Sequence, residues 1–256
     1  MKLIALSGVA GSGKDTFYRF LAAYNHAAVR YKFAHPLQDA VALLGGFYSS
    51  NGSHRLWFED RDWKSYYIID LSAIHQDANY RRNVFEKIAA LICNATSEQP
   101  WEQARLALPK QELSGGELYE AIERWFDQCL PKSHYSPREV QQLFGSNLCR
   151  HHIDEDLWVA HMNSQLLKAE VTTLAVITDL RFPNELDLVQ QWHGKVIYLE
   201  SKKAWEEAKA NRVLAHESES HYEYIKSKAD LVYRNDGSLT ELKEFTEGIH
   251  RQWFGW

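Results

Sequence analysis

Cysteine is scarce in this chain of 256 residues, which contains three: Cys93, Cys129 and Cys149. They are too few and too widely spaced to form the disulfide framework of a small secreted domain. The scarcity favours a reducing compartment, so we expect the protein to act in the cytoplasm.

Long apolar runs are also absent. No stretch approaches the roughly 20 apolar residues that a membrane-spanning helix needs, so we expect no membrane partner. The first residues, MKLIALSGVAG, contain a lysine and a short apolar run, but glycines and Lys14-Asp15 follow at once. This pattern favours a buried first strand over a signal peptide.

An excess of positive charge is missing as well. The formal charge is −5 and the pI is about 6.2. Proteins whose main partner is a nucleic-acid backbone usually carry a net basic face, so we expect no nucleic-acid partner. A small anionic substrate is compatible with this charge, because a few focused Arg and Lys side chains attract it locally.

The overall balance, 45% hydrophobic and 25% charged residues, is that of a globular protein. Strands and helices alternate along much of the chain, which predicts an α/β fold with a central parallel sheet flanked by helices, in a single domain spanning 1–256. The predicted strands are residues 2–7, 29–33, 171–178, 196–199 and 230–233. The predicted helices begin near Asp15, Pro36, Ala78, Glu117, Pro137, Asp154, Pro183 and Ser238.

Two segments differ from this frame. Residues 45–133 are rich in Trp, Tyr and charge, and we interpret them as a helical insertion on the substrate side whose aromatics serve mainly for packing. Residues 201–229 are polar and helix-prone, which makes them the candidate lid. Lys202 and Arg212 are its candidate cations, with His216-Glu217-Ser218 further on, and a solvated helix is the alternative.

A sharp helix start is predicted at Ser136-Pro137-Arg138-Glu139. Ser136 can cap the helix, proline suits the first helical position, and Glu139 completes a capping box. This helix would bury Val140, Leu143 and Phe144 and end before Gly145.

Residues 8–14, GVAGSGK, match the phosphate-loop pattern G-x-x-x-x-G-K between a predicted strand and a predicted helix. Glycines let backbone N–H groups turn towards phosphate oxygens, and the helix N-terminus adds partial positive charge. Lys14 would then reach the β- and γ-phosphates of ATP. The alternative is a glycine turn with a solvated lysine. The predicted ATP-binding residues are Gly8, Gly11, Ser12, Gly13, Lys14, Asp15 and Thr16.

The residue after Lys14 is unusual. That position normally holds Ser or Thr, whose hydroxyl binds Mg²⁺, whereas here Asp15 stands there and Thr16 follows. Either residue could hold Mg²⁺, so both are candidate metal ligands. The glycine spacing does not fit the dinucleotide fingerprint G-x-G-x-x-G, which argues against a nicotinamide enzyme.

A second polar group follows the buried run 171–178. In open parallel sheets, ligands bind beyond the carboxyl ends of the strands, where Asp179-Leu180-Arg181 is expected. Asp179 alone could organise Mg²⁺, as in many ATPases, but Arg181 and Glu185 beside it favour a substrate clamp. The alternative is an Asp–Arg pair that ties a loop to a helix.

Together these motifs make the sequence resemble the bacteriophage deoxynucleoside monophosphate kinase family, from residue 2 to about residue 245. The resemblance is carried by SGVAGSGKDT (7–16), KFAHPLQDA (32–40), Arg138 to Gly145 with Ser146 and Asn147, Trp158, TDLRFPNE (178–185) and NDGSLTEL (235–242). It is weak in the Trp-rich insertion and in the candidate lid. NDGSL also occurs in related P-loop kinases.

The resemblance implies an enzyme that uses ATP and Mg²⁺ to phosphorylate deoxynucleoside 5′-monophosphates, in the host cytoplasm if a phage encodes it. It implies catalytic roles for Lys14, Arg138, Asp179 and Arg181. The implied substrate-binding residues are Arg138, Gln142, Gly145, Ser146, Trp158, Asp179, Arg181 and Glu185. A further hypothesis is that Trp158 packs near the sugar or base and disfavours a 2′-hydroxyl. A solvated helix face for Gln142 and a core position for Trp158 are the alternatives.

Three other functions stay open at this point. One is a P-loop kinase of another small acceptor, such as dephospho-coenzyme A, and another is a nucleotide-binding switch that hydrolyses ATP slowly. A zinc site from Cys149, His151, His152 and His161 has weak support, because the spacing lacks a second paired half. A homodimer is compatible with the sequence, which does not specify the oligomeric state.

Overall fold

The computed structural model describes residues 1–97, 114–210 and 220–254. The chain divides into two compact units: Met1–Phe33 with Gln165–Trp256, and Ala34–Ser164. The predicted insertion, residues 45–133, falls inside the second unit, which begins earlier and ends later than that prediction.

The elements follow one another in the order strand, helix, strand, helix over the first 44 residues. The strands of the described part are β1 (Lys2–Ser7), β2 (Ala28–Tyr31), β3 (Ile69–Asp70), β4 (His134–Tyr135), β5 (Leu174–Ile177), β6 (Lys195–Glu200) and β7 (Leu231–Arg234). The α-helices are α1 (Lys14–Tyr24), α2 (His35–Leu44), α3 (Arg61–Tyr66), α4 (Ser72–Gln76), α5 (Ala78–Ser97), α6 (Gly115–Cys129), α7 (Pro137–Gln142), α8 (Leu157–Leu167), α9 (Pro183–Gln191), α10 (Lys202–Ala210), α11 (Tyr222–Lys228) and α12 (Leu239–Phe254). A 3-10 helix spans Ser53–Glu59, and a π-helix spans Leu143–Ile153.

The first unit is built on a parallel sheet. Within the described residues it has five strands in the order β2-β5-β1-β6-β7, and every pair is parallel. This architecture confirms the predicted α/β fold class. β1 lies in the middle, between β5 and β6, which is why its residues from Leu3 to Leu6 are apolar and buried.

Alternate residues of the sheet face two different layers of helices. On one face Ile4 and Leu6 pack in a single core cluster with Phe17 of α1 and Leu242 of α12. On the other face Tyr198 of β6 packs in a cluster with Tyr222 of α11. The helices therefore cover both faces, as the near-continuous apolar strands require.

The start of β5 corrects one prediction. The apolar run was expected to form a strand from Val171, but Val171 is 86% exposed and β5 begins at Leu174. Thr173 N–H donates to the carbonyl of Glu170 at 2.9 Å, so the first residues of the run form a turn. Leu174 is also the residue paired with Lys2, where β1 begins.

The second unit is mostly helical. Its apolar interior includes the fully buried Phe85 of α5, Phe126 of α6 and Phe144 of the π-helix. Phe85 and Phe126 lie 5.2 Å apart, ring centroid to ring centroid. A short antiparallel pair, β3 with β4, joins Ile69 to Tyr135.

An ionic cluster around the buried Asp39 connects the segment after α2 to that helix. The Asp39 carboxylate accepts hydrogen bonds from Arg55 Nε at 2.7 Å, Arg55 Nη2 at 2.6 Å and His54 Nε2 at 2.8 Å. Ser49 N–H donates to His54 Nδ1 at 3.2 Å, which fixes the neutral imidazole with its proton on Nε2. Burial raises the pKa of Asp39, but the hydrogen bonds from Arg55 and His54 and the positive charge of Arg55 outweigh this effect, so the pKa is lowered.

The helix that starts after Ser136 confirms its predicted cap and corrects its predicted end. Ser136 Oγ accepts from Glu139 N–H at 3.2 Å, and Glu139 Oε2 accepts from Ser136 N–H at 2.8 Å. Instead of ending before Gly145, the helix continues as the π-helix to Ile153. Gly145 is buried there, and a Cβ on it would lie 3.0 Å from Leu37 Cδ2, so close packing accounts for this glycine.

Among residues 1–97, 114–210 and 220–254, no helix combines the length and the apolar character needed to cross a membrane.

Candidate active site

The phosphate loop joins β1 to α1 in the first unit. Its glycines have φ angles of 130° at Gly8, 88° at Gly11 and 101° at Gly13, which L side chains rarely adopt. A Cβ at Gly8 would overlap the carbonyl oxygen of Leu199, and a Cβ at Gly13 would overlap the side-chain amide of Asn235. The glycines therefore allow the loop to pass close to the end of β6 and to Asn235.

Asn235 is a site residue whose role sequence reasoning missed. Its Nδ2 donates to the backbone carbonyl of Ser12 at 2.9 Å, across 223 positions of sequence. Its own N–H donates to the carbonyl of Glu200 at 2.7 Å. Asn235 thus fixes the phosphate loop against the end of β6. The available signal was the sequence NDGSL, which we used only as a motif shared with related P-loop kinases.

Lys14 lies over the phosphate loop. Its Nζ is 2.5 Å from the carbonyl of Gly8, 2.8 Å from that of Val9 and 3.4 Å from Ser12 Oγ. α1 begins at Lys14, and the first N–H groups of a helix have no partner within that helix. The ammonium and the helix N-terminus therefore converge on the loop, and this combination fits a polyphosphate.

The carboxylate of Asp15 is in an ion pair with Arg30 of β2. Arg30 Nε also donates to Thr178 Oγ1 at 3.0 Å, so one guanidinium contacts both the first turn of α1 and the end of β5. Arg30 was not among the predicted site residues, because a single arginine in a short strand gives no sequence signal.

The oxygen groups near the loop suit Mg²⁺, which prefers hard oxygen ligands. Thr16 provides a hydroxyl, and Asp15 and Asp179 provide carboxylates. In the part of the chain that the structure describes, no group of three or more His, Cys, Asp or Glu side chains could hold a metal ion. Mg²⁺ usually takes one or two protein ligands and completes its shell with phosphates and water. The oxygen groups of Asp15, Thr16 and Asp179 are therefore compatible with Mg²⁺.

The segment Asp179–Arg181 follows β5 and is fixed to β1. Ser7 Oγ donates to the carbonyl of Leu180 at 2.9 Å, and Leu180 N–H donates to the carbonyl of Leu6 at 3.2 Å. Asp179 Oδ1 accepts from Phe33 N–H at 3.0 Å. Because the phosphate loop leaves from the end of β1, the structure brings Asp179 and the loop to the same edge of the sheet.

Glu185 is buried, with 2% of its surface exposed. Its Oε2 accepts from the backbone N–H groups of Arg181 at 2.8 Å and Phe182 at 3.1 Å. The carboxylate therefore shapes the turn that leads into α9. Contact of Glu185 and Arg181 with a substrate stays a prediction.

The other predicted substrate residues lie in the second unit. Arg138 is in the first turn of α7, Gln142 ends that helix, and Gly145 and Ser146 lie in the π-helix that continues it. These four residues thus share one unbroken helical segment. π-Helices are rare, and the π-bulges through which most of them occur frequently lie at functional sites.

Trp158 lies in α8 and is 2% exposed. Its ring centroid is 6.5 Å from that of Phe144, next to Gly145 in the chain. Its Nε1 is buried and has no hydrogen-bond partner among the described residues. Trp158 therefore has the burial of a core aromatic residue and one unsatisfied polar atom. A buried donor without a partner is unfavourable by about 1–3 kcal/mol.

The candidate lid is partly described. Lys202 starts α10, where its backbone N–H donates to Asp236 Oδ1 at 2.7 Å and its side chain is exposed. Arg212 and His216-Glu217-Ser218 lie outside the described residues. A phosphate contact from this segment stays a prediction.

The weak zinc hypothesis has no geometric support in the described residues, which contain no metal-binding cluster of His, Cys, Asp or Glu. Burial raises the pKa of the Cys149 thiol well above its ordinary value, and a protonated thiol is a poor ligand. His151 and His152 are exposed.

Comparison with known proteins adds an independent line of evidence. A model of the deoxynucleotide monophosphate kinase family matches residues 2–245. The chain is similar to the deoxynucleotide monophosphate kinase of Enterobacteria phage T4, with 26% identity over 253 residues, 94% of this chain and 95% of the phage protein. It is also similar to the deoxynucleoside-5′-monophosphate kinase of Escherichia phage T5, with 25% identity over 199 residues, 74% of this chain and 72% of that protein. The family match spans every predicted site residue from Gly8 to Glu185.

Proposed function

Because the chain belongs to the deoxynucleotide monophosphate kinase family, we propose that it transfers the γ-phosphoryl group of ATP to the phosphate of a deoxynucleoside 5′-monophosphate. The observation that carries this proposal is the phosphate loop, where Lys14 Nζ lies within 2.8 Å of two loop carbonyls at the start of a helix. A strand, a glycine loop and a helix in this order bind the phosphates of nucleotides.

The acceptor's phosphate oxygen is the nucleophile in this reaction. It is already ionised at neutral pH, so the enzyme needs no general base. Catalysis then consists of positioning the reacting groups and stabilising negative charge on the equatorial oxygens during in-line transfer. Lys14 is the residue we assign to that charge, because its ammonium lies at the loop, within 2.8 Å of the carbonyls of Gly8 and Val9.

For Mg²⁺ we propose the hydroxyl of Thr16 and the carboxylate of Asp179 as protein ligands. When bound, Mg²⁺ would neutralise negative charge on the phosphates. Asp179 lies at the carboxyl end of the strand beside β1, and Thr16 lies in the first turn of α1. Asp15 is a weaker candidate ligand because Arg30 already occupies its carboxylate.

Substrate roles are proposed residue by residue. Arg138 would bind the acceptor phosphate, since a planar guanidinium suits bidentate contact with phosphate, and Arg181 would contribute a second cation. Gln142 and Ser146 would line the monophosphate pocket with Arg138, and Trp158 would pack near the sugar or base. The chain has only three cysteines, which fits a reducing compartment, and we propose the host cytoplasm as the place of action.

A panel of ribo- and deoxyribonucleoside monophosphates, assayed with ATP and Mg²⁺, tests the proposal. We expect ADP release that depends strictly on an added deoxynucleoside monophosphate, and its loss in Lys14→Ala. Lys243→Ala, which changes an exposed lysine of α12, is the matched control and should retain the activity. ADP release that needs no acceptor would support the nucleotide-switch alternative, and dependence on dephospho-coenzyme A alone would support the other kinase.

A further inference from the structure

Arg30 connects two parts of the first unit that are far apart in sequence. It lies in β2, at the edge of the five-stranded sheet, and only 18% of its side chain is exposed. Its Nε donates to Thr178 Oγ1 at 3.0 Å, across 148 positions of sequence, and its Nη2 pairs with Asp15 Oδ1. The guanidinium carbon also lies 5.4 Å from the centroid of the Tyr18 ring. Several contacts thus hold this cation in one orientation.

The ion pair with Arg30 compensates the negative charge that Asp15 brings to the phosphate loop. Asp15 follows Lys14 directly, at a position where phosphate loops normally have a hydroxyl. A carboxylate there adds negative charge beside the place that the proposed function gives to the ATP phosphates. Like charges at short range repel, so an uncompensated Asp15 would oppose nucleotide binding. The side chain of Asp15 is 54% exposed, and burial of Asp15 therefore does not remove its charge.

The second contact of Arg30 is with Thr178, in the segment that follows β5. Thr178 is the residue immediately before Asp179, whose carboxylate we propose as a Mg²⁺ ligand. Thr178 is buried, with 2% of its surface exposed, and its hydroxyl accepts from Arg30. Any movement of Arg30 would therefore act on the first turn of α1 and on the approach to Asp179 together.

We propose that Arg30 is a positioning residue that neutralises Asp15, so that the phosphate loop accepts a polyphosphate, and that fixes Thr178 ahead of Asp179. Asp15 is then the counter-ion of Arg30 rather than a metal ligand. This inference rests on the proposed function, because it concerns how the same loop binds ATP.

A double-mutant cycle tests the electrostatic part. The affinity for ATP is measured by calorimetry without Mg²⁺ in the wild type, Arg30→Met, Asp15→Asn and the double variant. We expect Arg30→Met to weaken ATP binding on the order of tenfold, equivalent to about 1.4 kcal/mol, and to do so by about twofold or less when Asp15 is already Asn. The difference between the two effects should shrink as salt is added, because exposed charges are screened.

Two further measurements separate this role from plain structural support. Arg30→Lys keeps the positive charge, but a lysine ammonium does not bind Asp15 and Thr178 at the same time as a guanidinium does. Unlike Arg30→Met, this variant should therefore keep most of the wild-type ATP affinity, while its turnover number with Mg²⁺ is low. The gain in ATP affinity on adding Mg²⁺ should persist in Asp15→Asn, which a metal ligand at this position would not allow. Arg19→Met, which changes an exposed arginine of α1, is the matched control and should behave as the wild type.

The outcomes distinguish the inference from the function on which it rests. If the wild type binds ATP and the effects of Arg30→Met and Asp15→Asn simply add, the counter-ion role is wrong while the kinase proposal stands. If Asp15→Asn abolishes the Mg²⁺-dependent gain, Asp15 is a metal ligand and the inference fails. If the wild type itself binds no ATP, the proposed function fails first. Thermal unfolding of each variant without nucleotide shows that the binding data come from folded protein.

Discussion

Replacing Trp158 with Phe separates a packing role from a substrate-binding role, because the two roles give different expectations for folding and for kinetics. The ring is 2% exposed, so the smaller side chain leaves a cavity that lowers the free energy of unfolding by about 1–2 kcal/mol. The same change removes an N–H that has no partner among the described residues, and relief of such a group is worth about 1–3 kcal/mol. The two contributions oppose each other, and we expect the free energy of unfolding to change by less than about 1 kcal/mol.

Substrate binding responds differently if the indole N–H donates to the sugar or base of the acceptor. Loss of one such hydrogen bond, worth about 0.5–1.5 kcal/mol, raises the KM for the deoxynucleoside monophosphate about two- to tenfold. Space beside the sugar also increases, so Trp158→Phe should accept ribonucleoside monophosphates better than the wild type does. An ADP-release assay with paired ribo- and deoxyribonucleotides measures both effects, and urea unfolding followed by fluorescence measures stability.

Trp125 provides a matched control within the same unit. It is 3% exposed, its Nε1 also lacks a partner among the described residues, and its ring lies 5.5 Å from that of Phe144. Trp125→Phe should therefore affect stability to a similar extent and leave the KM at the wild-type value. If Trp158→Phe leaves both the KM and the ribose preference unchanged, or if Trp125→Phe changes them equally, Trp158 is a core residue only.

Three further predictions address other parts of the molecule. Arg138→Ala and Arg181→Ala should each raise the KM for the monophosphate at least about tenfold and leave the KM for ATP close to normal, because charge-assisted contacts to phosphate are strong. Initial rates with each substrate varied will show the split, and normal kinetics in both would exclude these residues. Asn235→Ala should weaken ATP binding several-fold in a calorimetric titration, because a hydrogen bond to the Ser12 carbonyl worth about 1 kcal/mol is lost; an affinity equal to that of the exposed control Asn83→Ala would contradict this. Asp39→Asn should lower the free energy of unfolding by about 2–4 kcal/mol at neutral pH. The pKa of Asp39 is lowered from 3.8 in the folded protein, so its ionised form stabilises the fold above that value and this stabilisation is lost as the pH falls below it. Urea unfolding at about pH 7 and about pH 3.5 should show the difference between variant and wild type shrinking, and a constant difference would refute the role of the ion pair.

The phosphate loop and the sheet were predictable because their signals are local. The apolar run of β1 was predicted as residues 2–7, and the strand spans Lys2–Ser7. A buried strand followed at once by spaced glycines and Lys14 has few other physical interpretations. The order of the remaining strands and helices then required a parallel sheet, which the structure has.

The start of β5 could not be read from composition. Val171 and its neighbours have high strand propensity, yet a strand needs a partner along its length. Pairing of β1 with β5 begins where Lys2 meets Leu174, and the residues before Leu174 are left to form a turn. Register with a distant strand therefore set the boundary, whereas β-propensity alone favoured an earlier one.

Gly145, Arg30 and Asn235 show the same limit in two ways. Gly145 is a usual signal for the end of a helix, but here it lies inside a continuing helix, where the close approach of Leu37 favours a residue without a side chain. Arg30 and Asn235 contact partners 148 and 223 positions away. No window of sequence contains both members of either pair, so their roles emerge only from the folded chain.

The position of β1 in the sheet has a consequence for how the protein is made. β1 is synthesised before both of its neighbours in the described sheet, β5 and β6, and β2 pairs with β5 rather than with β1. At ordinary rates of translation, roughly 8–30 s pass between the synthesis of β1 and that of β5, its first partner. The second unit, which is continuous in sequence, is completed during that interval. The hydrogen bond from Asn235 to the phosphate loop comes later still, so in a nascent chain the loop has its full support for nucleotide binding only once β7 and the residues after it have been translated.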